Sequence, residues 1–127
     1  MKVKIDPKQL TQNFPEDDYE GTVVKLFKST SAAGNRSGGF QIRISEGDYA
    51  GRKVIGNITV TEDSLWKANQ LHKAVTDEDL PEQEFETEDD FLDFLFEAVN
   101  GHSLSFRVKH RLDNQGSERM DLTYLSR

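Results

Sequence analysis

The clearest rhythm in the chain is the alternation from Phe40 to Ser45, in which Phe40, Ile42 and Ile44 are apolar and Gln41, Arg43 and Ser45 are polar. A period of two puts each set on one side of an extended strand, so the stretch predicts a half-buried β-strand. The alternation returns in "KVIGNITV", with Val54, Ile58 and Val60 inward and Lys53, Asn57 and Thr59 outward, and the glycine-bounded "EGDYAGR" between the two is a turn. Together they predict a hairpin. Gly56 falls on the inner face in mid-strand, which predicts a bulge or a sharp bend. Upstream, "YEGTVVKLFKS" is rich in β-branched and aromatic residues and predicts a first strand from Tyr19, apolar on both faces at Val23, Val24, Leu26 and Phe27. The small, polar "TSAAGNRSGG" that follows is a loop. Near the C-terminus, "HSLSFRVKHRL" and "ERMDLTYL" flank the turn "DNQGS" and predict two more strands, with Leu104, Phe106 and Val108, then Met120, Leu122 and Tyr124, inward.

Between strands three and four the period lengthens. Leu65, Ala68, Leu71 or His72, and Val75 recur at intervals of three and four, the spacing of one helix face, with Asp63 or Ser64 suited to cap the start. Pro81 and an acidic run separate this helix from a second. There Thr87 and Asp90 resemble a capping box, Phe91, Leu92, Leu95, Ala98 and Val99 form the buried face, and Asn100-Gly101 is the stop. Phe94 and Phe96 fall off that face and predict an exposed apolar patch.

Three strands, two helices and two strands is the element order of an all-β fold with a helical insertion, and specifically of the five-stranded OB-fold, a Greek-key barrel with its helix between strands three and four. The 127 residues are enough for one domain and one core, with residues 1–18, which hold Pro7, Pro15 and little apolar material, as a loosely ordered lead-in.

Charge is spread unevenly along the chain. The net charge is −7, which by itself argues against a polyanionic partner, yet residues 76–97 hold 11 acids and no Lys or Arg. The remaining 12 acids face all 16 bases, so the rest of the chain carries +4 and the acidity belongs to an insertion. In the OB-fold, strands two and three and the loops joining strands one to two and four to five form the usual oligonucleotide face. On that geometry Lys28, Arg36, Arg43, Arg52 and Lys53 are expected to gather around one groove with Arg107, Lys109 and Arg111, the outward cations of "SFRVKHRL". Base stacking needs an outward aromatic ring; Tyr49, in the turn beside Arg52, is the first candidate, with Phe27 and Tyr124 behind it.

"GFQIRISEGDYAGRKVIGNITV", followed by the helix with Leu65 and Trp66, resembles the phage-encoded single-stranded DNA-binding proteins long catalogued as a phage domain of unknown function. The shared features are Gly21-Thr22-Val23 in the opening strand and Glu46-Gly47-Asp48-Tyr49-Ala50-Gly51-Arg52 after the central one, and the likeness covers about residues 19–75. It implies an OB-fold, single-stranded DNA as partner with little sequence preference, and a place in phage DNA replication or recombination beside proteins of those processes. The chain departs from many such binders in ending "DLTYLSR", without an acidic tail.

Enzyme chemistry finds no support. The chain has no Cys, so thiolate metal sites and Cys nucleophiles are excluded, and His72, His102 and His110 lack a metal-ligand spacing; neither metal nor cofactor is expected. The glycines at 34, 38 and 39 do not form a phosphate loop. With no signal-like or membrane-spanning apolar run, the expected setting is the cytoplasm, that of the host cell for a phage protein, with no membrane partner. The alternative function is a protein-interaction module that modulates a host or phage enzyme through the acidic insertion.

Overall fold

The structure is a computed structural model and describes residues 15–112, 114–116 and 118–125; the rest of the expected lead-in, residues 1–14, lies outside them. The alternating segments form five strands, β1 (Asp17–Thr30), β2 (Arg36–Ile44), β3 (Lys53–Thr59), β4 (Ser103–Leu112) and β5 (Glu118–Leu125). All pair antiparallel in one sheet of order β3-β2-β1-β4-β5. A 3-10 turn at Glu62–Ser64 leads into α1 (Leu65–Thr76), and α2 (Glu88–Val99) precedes β4. Among the described residues no ladder joins β3 to β5, so the sheet is open.

One face of the sheet and both helices enclose the core. Phe40, Ile42 and Ile44 of β2, Phe106 and Val108 of β4, Leu71 of α1 and Leu92 and Leu95 of α2 are almost fully buried. The helix ends are set locally. The Thr87 hydroxyl accepts from the Asp90 N–H at 3.1 Å, as the capping pattern anticipates. Gly101, at φ 78°, closes α2 and donates to the Val23 carbonyl at 2.8 Å, tying the helix end to β1. Ser64 precedes α1 without a side-chain cap; its hydroxyl pairs with Thr61 instead, at 2.9 Å.

Four expectations change. β2 begins at Arg36, inside the expected loop. β1 starts at Asp17 rather than Tyr19, since Asp17 and Asp18 pair with Val108 and Arg107. No bulge occurs at Gly56, because the β2–β3 register runs unbroken from Ser37↔Thr59 to Arg43↔Lys53. What Gly56 provides is space: a Cβ there would overlap the Tyr124 hydroxyl, which reaches over from β5 and is buried without a hydrogen-bond partner among the described residues. Burial alone drives that phenol well above the ordinary tyrosine range. Finally, Phe94 and Phe96 are not an exposed patch. Phe96 packs against the core near Phe40, and Phe94 stacks on His72 and meets Phe85 at a tilt.

The bulge lies in β1 instead. Val24 is the extra residue, between Val23↔Ile42 and Lys25↔Gln41. One inserted residue reverses the parity of the strand beyond it. Val23 and Leu26 therefore both face the core, while Lys25 and Phe27 turn to the opposite side.

Candidate nucleic-acid interface

The helices cover one side of the sheet and leave the other side of β1–β2–β3 open. Outward side chains there form rows across the three strands: Thr22, Arg43 and Lys53; then Lys25, Gln41 and Ile55; then Phe27, Gly39 and Asn57. Thr22 to Ser45 and Lys53 to Thr61 contain no acid. Phe27 and Ile55 are 41% and 48% exposed, an unusual state for large apolar residues on a strand with a buried face to use. Lys25 Nζ stands 4.7 Å from the centre of the Phe27 ring, so the cation and the π-face present as one unit. Gly39 keeps the floor low between them, because a Cβ there would come within 2.9 Å of the Ile55 side chain.

Of the residues singled out in the sequence, Arg43 and Lys53 lie on this face, directly opposite each other, with Arg52 next to Lys53 at the start of β3. The others do not join them. Lys28 and Arg36 are on the helix-covered side at the far end of the β1–β2 hairpin, where two acids one turn apart on α2 hold them. Lys28 pairs with Asp93 at 2.6 Å, and Arg36 grips Asp89 with two bonds of 2.8 and 3.1 Å. That guanidinium holds the Asp89 carboxyl below the usual range.

The basic stripe of β4 is outward, as its alternation requires, but acids from neighbouring strands face it. Arg107 grips Asp18 of β1 with bonds of 2.7 and 3.2 Å and depresses its pKa, Arg111 pairs with Asp121 of β5 at 2.8 Å, and Lys109 stands opposite Asp121 in the ladder. Tyr49 is half-buried, edge-on to Tyr19 at 6.3 Å, in a depression lined by Asp17, Asp18, Glu20, Glu46 and Asp48. Tyr124 belongs to the core. On the open face of β1–β2–β3 the ring presented to solvent beside a cation is Phe27.

Lys25 and Ile55 are the members of this face that sequence periodicity did not single out. The signal for them was the two acid-free runs, Thr22 to Ser45 for Lys25 and Lys53 to Thr61 for Ile55, which are legible without coordinates. The arrangement offers fixed cations for phosphates, a ring for a base and the amides of Gln41 and Asn57. Among the described residues no cluster of His, Asp or Glu is placed to hold a metal ion.

The second half of the acidic segment is α2, which buries Phe91, Leu92 and Leu95 in the core. Among the described residues no helix is long and apolar enough to cross a membrane. The model of a family described as Protein of unknown function (DUF669) matches residues 2–125. No curated protein matches the chain.

Proposed function

For a chain that belongs to this family of unknown function, we propose that the open face of β1–β2–β3 binds single-stranded DNA with little sequence preference. The observation that carries it is the patch built from the acid-free stretches Thr22–Ser45 and Lys53–Thr61, on which Lys25, Arg43 and Lys53 share one face with the exposed Phe27 and Ile55. Cations at fixed strand positions neutralise successive phosphates and release their counterions, which supplies affinity without reading sequence. Phe27 stacks on a base, an interaction worth roughly 1 to 3 kcal/mol and indifferent to base identity. A duplex keeps its bases in the stack and out of reach of that ring, so single strands are preferred.

The strand pairing supports an OB-type barrel as the scaffold. β1 pairs with both β2 and β4, and the edge strands β3 and β5 approach each other where Tyr124 fits over Gly56. In that fold the exterior of strands two and three is the usual oligonucleotide surface. The resemblance of residues 19–75 to phage-encoded single-strand binders adds the biological setting: replication or recombination of phage DNA in the host cytoplasm, alongside the proteins of those processes.

The test is anisotropy of a fluorescent oligo-dT titrated with the protein, followed by competition. Unlabelled oligo-dT is expected to displace the probe and an equal mass of duplex to fail. Equal displacement by duplex would contradict single-strand recognition.

A further inference from the structure

On the helix side of the sheet a groove of about 600 Å³ runs between the start of α1, the 80–88 segment and the start of α2. Its walls include Leu65, Trp66, Leu80, Phe85 and Phe91, and its rim includes Glu86 and Glu88. Trp66 is 63% exposed and Leu65 41%. Exposed tryptophan beside a concave apolar wall is the composition of a binding hot spot rather than of ordinary solvated surface.

The rim decides what fits. Glu82 and Glu84, next in sequence to lining residues, are exposed along with Glu86 and Glu88, and among the described residues the ion pairs involve none of the four. An anionic rim repels nucleic acid and anionic lipid alike. A second copy of the chain would bring the same acids and a net charge of −7 against them. A cationic segment with a bulky apolar anchor satisfies both wall and rim.

We propose that this groove docks a basic amphipathic segment of a partner protein, its apolar side chains against Trp66 and Phe85 and its Lys or Arg residues on the glutamate rim. The site is independent of the DNA face, which lies on the opposite side of the sheet, so the protein is able to hold a strand and recruit a partner at once.

Trp66 is the chain's single tryptophan, so its emission reports on the groove. The probe is a synthetic helix-forming peptide of leucine and lysine, with oligolysine of equal charge as control. The leucine–lysine peptide is expected to shift Trp66 emission to the blue, saturably and less at high salt, while oligo-dT leaves it unchanged. By anisotropy of the labelled peptide, Trp66→Ala and the pair Glu86→Gln and Glu88→Gln are each expected to weaken binding about tenfold. Because all three side chains are exposed, circular dichroism is expected to show intact folding. The proposal is overturned by equal binding of oligolysine, by unchanged affinity in those variants, or by a Trp66-dependent dimer in sedimentation. It is overturned too if a chain begun at Pro15 binds the peptide and the full chain does not, which would make residues 1–14 the occupant. None of these results bears on DNA binding, which oligo-dT reports separately.

Discussion

Arg43 and Lys53 face each other across the β2–β3 ladder, on the side of the sheet that the helices leave bare. Four other strand cations are held by carboxylates: Arg107 by Asp18, Arg36 by Asp89, Lys28 by Asp93 and Arg111 by Asp121. Those pairs neutralise four of the cations singled out in the sequence, whereas on the bare face Lys25 stands beside the exposed ring of Phe27.

Phe27 is expected to contribute through stacking and not through folding, being 41% exposed on the outer face. Phe27→Ala should weaken oligo-dT binding by roughly 1 to 3 kcal/mol. Its urea midpoint should stay close to that of the parent. Unchanged DNA affinity in the folded variant would remove the ring from the site.

Arg107 separates charge as counted from charge as available. Held by Asp18 in a two-bond pair, it has little left to offer a phosphate. Arg107→Ala should change the slope of log affinity against log salt by less than the roughly 0.7 that each neutralised single-strand phosphate supplies. A full unit of change would return the β4 stripe to the interface.

Gly56 is fixed by the close approach of Tyr124 and not by backbone conformation. Gly56→Ala forces a methyl group against a buried hydroxyl and should destabilise the fold by roughly 1 to 3 kcal/mol. Tyr124→Phe removes the hydroxyl, and in that background the Gly56→Ala penalty in chemical denaturation should shrink. Equal penalties in both backgrounds would mean that the close approach is not what holds glycine there.

The carboxyls of Asp18 and Asp89 are depressed chiefly by their hydrogen bonds to Arg107 and Arg36. A group with a lowered folded-state pKa stabilises the fold above its unfolded value, near the ordinary aspartate 3.8, and loses that contribution as acid takes the pH down through the folded value. The urea midpoint of the parent should therefore fall more between about pH 6 and pH 3 than that of an Asp18→Asn, Asp89→Asn double variant, the difference being modest because both pairs are exposed. Parallel curves would show that the two pairs contribute nothing to the fold's acid sensitivity.

Much of the fold was legible because its strands are half-buried. Phe40-Ile42-Ile44 and Val54-Ile58 alternate because one face packs and the other meets water, and Thr87 marks a helix start because its hydroxyl completes the first turn. The charge distribution was not legible, because its partners are remote in sequence. Arg107 and Asp18 are 89 residues apart and Arg36 and Asp89 are 53 apart, and nothing local announces that strand pairing and helix packing bring them together. The orientation of Phe27 was hidden for a different reason. A single bulge at Val24 inverts the strand beyond it, and two adjacent valines are equally compatible with a strand covered on both faces.

Whether the bare face of β1–β2–β3 carries DNA is decided by oligo-dT affinity at a series of salt concentrations, compared between the parent and the Arg43→Ala, Lys53→Ala double variant. Binding by the parent should be salt-sensitive, and the slope in the double variant should be lower by about 1.4, roughly 0.7 for each phosphate that is no longer neutralised. Absence of binding by the parent at low salt, or identical slopes in the two proteins, would contradict a DNA-binding role for this face.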